Sequence, residues 1–277
     1  RQNQICIKLL NEREKRVRPA TDKKILVSWN SLVIEGMINA YKASGNRDYY
    51  ESAKKSFTFI KNNMYKKNKL YACYHDREYF SAYLDDYAFL SKSCLELLKI
   101  EWDDSIFSFL KMLVDTLIND FQDLNNGGFY FTSKDHEKLI YRPKSYMDES
   151  LPSGNSVAID VLMEIYELTG ESKYISAVEN ALKSAHDSLT RSSFSHCSLL
   201  LAAPRTRVSK RLIIIRCDKK DLKLNQDLIK KTDAINDNIY FISNNEEISV
   251  KSLSDKISKG SFTAYICQDN VCSAPIE

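Results

Sequence analysis

Three segments of the chain share one pattern, in which small polar residues precede a long apolar stretch. They are WNSLVIEGMINAYKASGN from Trp29, LDDYAFLSKSCLELLK from Leu84 and PSGNSVAIDVLMEIYELTG from Pro152. Small polar side chains are favoured where helices begin, so each segment predicts the start of a helix. The intervals between the segments are long enough for two helices and a connection. The recurrence therefore predicts stacked α/α hairpins.

Two kinds of helix alternate along the chain. Residues 27–44 and 83–98 have apolar side chains around most of the helix circumference, which predicts inner helices buried on several sides. Residues 49–63 and 173–189 have one apolar stripe opposite a polar face, which is typical of outer helices. The alternation predicts a mainly α fold, a partial α/α toroid of about half a six-hairpin barrel, in which the inner helices run parallel.

Parallel inner helices place their N-termini at one end of the toroid, which we call the mouth. Residues 66–81 and 122–153 precede the second and third inner segments and alternate apolar and polar side chains, which predicts β-hairpin loops over the mouth. The residues predicted to lie at the mouth are Trp29, Asn30, Asp85, Asp86, Arg142, Asp148, Glu149, Ser153 and Asn155.

The mouth residues suggest carbohydrate chemistry. Asp85, Asp86 and Asp148 are candidate catalytic residues, because glycoside hydrolysis requires two carboxyl groups that face one substrate. The other six are candidate substrate-binding residues: an indole ring can stack on a sugar, and the polar side chains can exchange hydrogen bonds with hydroxyl groups. The alternative is that residues such as Asp86 and Ser153 only cap their helices. The sequence leaves both interpretations open.

Other classes of site find little support. No cluster of histidine, cysteine and carboxylate residues has the spacing of a metal site, and no glycine-rich phosphate loop precedes a helix. We therefore expect no metal and no cofactor.

After residue 204 the pattern changes to RLIIIRC, a polar helix from Leu222 to Ile235, NIYFIS and FTAYIC. This predicts an α/α-toroid region over residues 1–204 and a small α/β region over residues 205–277.

The composition is that of an ordinary globular protein. The chain has 277 residues, of which 43% are hydrophobic and 28% charged, and a formal net charge of +3, which is too small to indicate a polyanionic partner. We find neither a signal-peptide pattern nor an apolar run of about 20 residues. The seven cysteines are scattered and odd in number, which predicts reduced thiols. We therefore expect a cytoplasmic protein that binds neither nucleic acid nor membrane.

Four motifs in order carry a resemblance to a known family. REKRVRPATDKKILVSWN, LDDYAFL, NNGGFYFT and RPKSYMDESLPSGNSVA resemble the C-terminal part of the spermatogenesis-associated protein 20 family of thioredoxin-domain-containing proteins, and FTAYICQDNVCSAP resembles the closing strand of that family. The resemblance implies a six-hairpin toroid similar to N-acylglucosamine 2-epimerases and six-hairpin glycosidases. An active protein of this kind would be a carbohydrate epimerase or isomerase, or a glycosidase-like enzyme.

The chain also departs from the family. The thioredoxin-like domain and about half of the hairpins are not present, so a missing N-terminal polypeptide portion or a homo-oligomer is the expected partner, beside a small carbohydrate ligand. Ala20 stands where the family usually has histidine, and Lys23 follows Asp22 where two aspartates are usual. The alternative hypothesis is a non-catalytic helical interaction module, or a decayed fragment, that needs a partner polypeptide. A redox role of Cys267 and Cys272 is a further hypothesis.

Overall fold

The fold follows from a computed structural model that describes residues 2–138, 140–206, 210–223, 226, 237–268 and 271–277. The α-helices are α1 (Gln2–Glu14), α2 (Val27–Ser44), α3 (Arg47–Asn63), α4 (Leu84–Ile100), α5 (Asp104–Thr116), α6 (Gly154–Thr169), α7 (Ser172–Arg191), α8 (Cys197–Ala202) and α9 (Lys251–Ser254). A π-helical turn, Leu117–Phe121, continues α5, and short 3₁₀ turns span Ser193–His196, Ala203–Thr206 and Lys219–Asp221. The strands are β1 (Ile25–Leu26), β2 (Tyr65–Lys66), β3 (Lys69–His75), β4 (Arg77–Ser81), β5 (Leu212–Cys217), β6 (Asn238–Ser243), β7 (Phe262–Gln268) and β8 (Val271–Cys272).

Helices α2, α4 and α6 form the inner layer, and α3, α5 and α7 form the outer layer. The outer helix α3 buries one stripe of side chains, Tyr50, Ala53, Phe57 and Ile60, and leaves its other face exposed. In contrast, α4 buries residues on nearly every side, because α2, α5 and α6 all pack against it. The predicted mainly α arrangement of inner and outer helices is therefore confirmed.

Glycines in left-handed conformation end two of the inner helices. Gly45 has φ 73°, and its N–H donates to Tyr41 O at 2.8 Å. Gly170 has φ 71°, and its N–H donates to Tyr166 O at 2.7 Å. A residue without Cβ adopts this conformation at little cost, so the chain reverses directly into the following outer helix. The short turns predicted at Gly45 and Gly170 are confirmed.

Ion pairs connect the C-terminal halves of the inner helices. Lys42 of α2 pairs with Glu96 of α4, and Lys99 of α4 pairs with Glu96 at 2.8 Å and with Glu164 of α6 at 2.7 Å. Tyr240 of β6 donates a hydrogen bond to the same Glu164 at 2.6 Å. Because the charges are buried in pairs and further hydrogen-bonded, the network fixes how the three helices and the strand sit together.

The two connections over the mouth differ from each other. Strands β2, β3 and β4 form the predicted hairpins between residues 65 and 81, and β1 joins the same sheet. The second prediction, a β-hairpin within residues 122–153, is wrong: the described part of this connection contains only an isolated bridge, Gln122 to Phe129. Scattered backbone bonds, such as Phe131 N to Pro143 O at 2.8 Å, and side chains hold this connection instead. Arg142 donates to Thr132 O at 2.5 Å, and Asn155 bonds to both backbone groups of Phe129.

The C-terminal region forms a four-stranded sheet in the order β6-β5-β7-β8. Strand β5 pairs parallel to β6 and antiparallel to β7, which confirms the three predicted strands. The helix predicted from Leu222 to Ile235 falls almost entirely outside the described residues. Apolar residues of the sheet, including Ile214 and Tyr240, share one continuous core with the helices. The boundary between residues 204 and 205 stays a prediction.

The prediction that all seven cysteines are reduced is wrong. Cys267 and Cys272 face each other across the antiparallel pair β7 and β8 with Cα atoms 3.9 Å apart, and they form a disulfide. A hairpin places opposite side chains close enough to bond, a proximity that the count of cysteines did not reveal. No helix of the described residues has the length and apolar character needed to cross a membrane.

Candidate active site at the mouth of the inner helices

The N-termini of the three inner helices meet, as the alternation of inner and outer helices predicts. The N–H of Ser28 in α2 donates to Asp86 Oδ1 of α4 at 2.9 Å. The N–H of Gly154 at the start of α6 donates to the carboxyl group of Asp85, also in α4. Adjacent carboxyl groups of α4 therefore bind one neighbouring helix each, and the mouth is built around this pair.

Asp86 is buried and acts as a helix cap. In addition to the bond from Ser28, its Oδ2 accepts the N–H of Tyr83, the residue before α4, at 2.9 Å. Burial raises the pKa of Asp86 to about 6, although both backbone hydrogen bonds act in the opposite direction. Each oxygen already has a backbone donor, so the geometry favours the capping interpretation for Asp86.

Asp85 is half-buried and has fewer partners. Its pKa is raised to about 6, mainly by burial and further by the negative charges of Asp86 and Glu149, while the hydrogen bond from Gly154 lowers it. Glu149 itself is exposed. A carboxyl group that changes its protonation near neutral pH, with a second carboxylate close enough to repel it, has the electrostatics of an acid–base residue.

Gly154 allows Asp85 to reach the start of α6. A Cβ atom at position 154 would overlap Asp85 Oδ1 and press on Leu84 Cγ. Only a residue without a side chain therefore lets the carboxyl group lie against the backbone N–H. Gly154 lies within the motif PSGN and was not predicted as a site residue. The signal that could have identified it is a small residue at the first position of an apolar helix.

Asp148 and Ser153 both complete helix ends. Asp148 Oδ1 accepts the N–H of Ser153 at 2.9 Å, and its Oδ2 accepts the N–H of Ser198 in α8 at 2.8 Å. Ser153 is the N-cap of α6, and its hydroxyl oxygen accepts the N–H of Ser156 at 3.2 Å. The structure brings both residues next to the mouth with their oxygen atoms already hydrogen-bonded.

Asn155 and Arg142 fix the connection that covers the mouth. Asn155 is buried; its Oδ1 accepts Phe129 N at 2.8 Å, and its Nδ2 donates to Phe129 O at 2.8 Å and to Ser145 O at 2.9 Å. Arg142 lies over the ring of Tyr130, 4.1 Å from its centroid. These bonds hold the segment that brings Phe131 next to α4, where Phe131 O accepts the N–H of Leu84 at 2.9 Å.

Trp29 and Asn30 lie in the first turn of α2. Asn30 Nδ2 donates to Leu26 O at 2.8 Å, so the amide binds its own helix end. Trp29 is 60% exposed and lies on the side of α2 opposite the buried residues Val27, Ser31 and Ile34. Its indole ring is open to a ligand or to a protein partner.

An aromatic pair beside Asp85 was not recognised from the sequence. Tyr83, two residues before Asp85, stacks on Phe131 with ring centroids 4.8 Å apart and an interplanar angle of 11°. His136 lies against the same tyrosine at 5.7 Å. Because Tyr83 and Phe131 are nearly fifty residues apart in the sequence, no local pattern indicates that their rings are in contact.

Two cavities lie away from the mouth. One, of about 660 Å³, is lined by Glu35 and Lys42 of α2, by Glu96 of α4 and by residues of β6. The other, of about 420 Å³, is lined by the end of α6 and by the Cys267–Cys272 disulfide. Within the described ranges, no three histidine, cysteine or carboxylate side chains are grouped in a way that could hold a metal ion.

The fold is that of an α/α toroid. The GH76 alpha-mannanase of Bacteroides thetaiotaomicron superposes with a TM-score of 0.55 and 16% sequence identity, over 75% of this chain and 58% of the mannanase. At this identity the match shows the fold alone. It confirms the predicted toroid and shows that this chain forms part of one.

Along the sequence, the chain is similar to spermatogenesis-associated protein 20. It is 23% identical over 289 residues to the human protein of that name, and the match covers 97% of this chain and 37% of the human protein. An uncharacterized Caenorhabditis elegans protein is 24% identical over 283 residues, which is 97% of this chain and 38% of that protein. No family model matches. The resemblance predicted from the motifs is confirmed, and the chain spans well under half the length of the curated relatives it matches.

Proposed function

We propose that this chain contributes one arc of a carbohydrate-processing toroid, with Asp85 as its proton-donating residue. The single observation that supports the proposal is the carboxyl group of Asp85, half-buried where α4 meets α6, with its pKa raised to about 6. In glycoside hydrolysis a carboxylic acid with a raised pKa protonates the leaving oxygen. The toroid relatives include a mannanase, so we take α-mannosides as the first substrate class to test.

The proposal assigns different tasks to the other carboxyl groups. Glu149 is exposed and close enough to influence Asp85 electrostatically, so it is the candidate for the second carboxylate. Asp86 and Asp148 each accept two backbone N–H bonds, which makes them positioning residues that keep the helix ends in register. Four polar residues fix the position of the backbone by hydrogen bonds from or to their side chains: Asn30, Arg142, Ser153 and Asn155. Trp29 supplies an open aromatic face.

A second candidate function is a non-catalytic helical module that needs a partner polypeptide. The observation that favours it is α1, a helix of 13 residues without one buried side chain. Isolated helices of this length are marginal in water, so α1 is expected to gain a partner in the functional protein. The two candidates are compatible if catalysis requires a completed toroid.

The test measures stabilisation by sugars. Mannose and α-linked mannobiose at millimolar concentration should raise the Tm of the protein, and Asp85→Asn should weaken the effect of the disaccharide. Glu179→Gln is the matched control, because Glu179 is an exposed carboxylate on the outer helix α7. No stabilisation by either sugar, both for the chain alone and for a toroid completed as described below, would favour the non-catalytic module.

A further inference from the structure

Among the residues that the structure describes, one face of α2 is apolar and largely exposed. Trp29, Val33, Gly36, Ala40 and Ala43 recur at helical spacing on the side opposite the buried residues, and we call this set the uncovered stripe. It contains no charged residue, and Val33 is 51% exposed. Continuous apolar surface of this kind marks a contact with another molecule or segment.

The small residues of the uncovered stripe match the way inner helices pack in this fold. Where α2 meets α4 on its other side, Ser93 Oγ donates to the backbone oxygen of Ser31 at 2.8 Å, so the two helices approach closely through small side chains. A Cβ at Gly36 would meet nothing within 4 Å. Small residues at a contact shorten the distance between helix axes. The stripe is therefore suited to a second inner helix.

In the order of elements along the chain, α1 occupies the position of an outer helix. Outer helix α3 is followed by a connection and by inner helix α4; in the same way α1 is followed by a connection and by inner helix α2. The other outer helices pack on their own inner helix, whereas α1 exposes Ile5, Ile7, Leu9 and Leu10. Both α1 and the uncovered stripe therefore present apolar side chains that the described residues leave exposed.

We propose that the uncovered stripe and α1 together are the docking surface for the inner helix of a further α/α hairpin, contributed by the rest of a longer polypeptide. The relatives supply the argument for this occupant, because the match accounts for 97% of this chain but only 38% of the Caenorhabditis elegans protein. The docked helix is apolar around most of its circumference, as α4 is. The inference rests on the fold and is independent of the proposed carbohydrate function.

The test supplies the missing part in trans. The partner is the portion of the Caenorhabditis elegans relative outside the matched region, used after it has been shown to bind the relative's own matched segment. With this chain we expect a 1:1 complex by light scattering. Trp29 should lose most of its quenching by iodide; the buried Trp102, which is 2% exposed, makes this signal specific for Trp29. Cys6 of α1 should lose reactivity, while the exposed Cys197 stays reactive.

A charged variant and its control locate the contact. Val33→Glu should weaken the complex at least about 100-fold, because an unpaired carboxylate would be buried between two apolar helices. Met112→Glu, on the outer helix α5 and 42% exposed, should leave it unchanged. Failure of the competent partner to bind would overturn the proposal. A homodimer of this chain that shields Trp29 and is dissociated by Val33→Glu would overturn the assigned occupant in favour of a second copy.

Discussion

Helices α4 and α2 occupy equivalent inner positions but differ in what surrounds them. Helix α4 buries fourteen of its 17 residues, since it has an inner helix on each side and an outer helix behind it. Helix α2 has 18 residues and a similarly apolar sequence, yet it buries only Val27, Ser31, Ile34, Ile38 and Tyr41. The proposed docked helix would give α2 a neighbour on its second side, whereas α4 already has both.

Substitutions in α4 and on the uncovered stripe of α2 should differ most in how far they lower the free energy of unfolding. Leu90→Ala in α4 removes a completely buried side chain and should lower the free energy of unfolding by about 2–5 kcal/mol, because a cavity remains among packed neighbours. Val33→Ala on the uncovered stripe should change it by less than about 0.5 kcal/mol. Urea denaturation measures both. Equal losses would mean that the stripe is already covered in the isolated chain.

A smaller effect is expected at the contact between α4 and α6. Gly154→Ala should destabilise the protein by about 1–3 kcal/mol, because the new Cβ overlaps Asp85 Oδ1 and displaces the carboxyl group from the Gly154 N–H. The same variant should move the pKa of Asp85. A stable variant with an unchanged pKa of Asp85 would show that the two helix ends are not in contact.

The charge of Asp85 should make stability depend on pH. Because its pKa is raised in the folded state to about 6 from an ordinary value of 3.8, the folded protein binds a proton that the unfolded chain does not bind between about pH 6 and pH 4. Asp85 therefore lowers stability as pH rises through this window. Asp85→Asn should raise the free energy of unfolding at pH 8 by roughly 1–2 kcal/mol and reduce the slope between pH 4 and pH 6. An unchanged pH profile of Asp85→Asn would argue against the raised pKa.

A glycine of the uncovered stripe should respond with the opposite sign from Gly154→Ala. Gly36→Ala should stabilise the isolated chain by about 0.5–1 kcal/mol, because alanine is the better helix former and nothing lies within 4 Å of the new methyl group. Thermal and urea unfolding of the two glycine variants, measured side by side, compare a packed and an uncovered position. Destabilisation by Gly36→Ala would indicate a neighbour on the stripe.

The difference between α2 and α4 also explains which features of the fold could be predicted from the sequence. Periodicity identified α2 as residues 27–44 and located α4 to within two residues, because an inner helix is apolar on most sides whether or not its neighbour is present. The predicted burial of α2 on several sides was not met: the buried residues lie on one side of the helix, because burial depends on neighbours and not on the helix's own apolar pattern. The meeting of the N-termini followed from the order of inner and outer helices.

Long-range bonds of side chains to the backbone could not be predicted. The apolar alternation of residues 129–132 is typical of a strand, but Asn155 bonds to both backbone groups of Phe129 and Arg142 bonds to Thr132 O. Phe131 bonds instead to Pro143 O and to the N–H of Leu84, and the described part of the connection contains no hairpin. In the same way, LDD predicted two carboxyl groups at a helix start without distinguishing them. Only the structure separates Asp86, with two backbone donors, from Asp85, with one.

NMR titration of the Asp85 carboxyl group is the decisive test of Asp85 as the proposed proton donor. The carbon signal of the Asp85 side-chain carboxyl group, assigned by its loss in Asp85→Asn, reports the protonation of the proposed acid as pH is varied. We expect Asp85 to titrate with a pKa of about 6. A pKa at the ordinary value near 3.8 would contradict the assignment of Asp85 as the proton donor of this toroid.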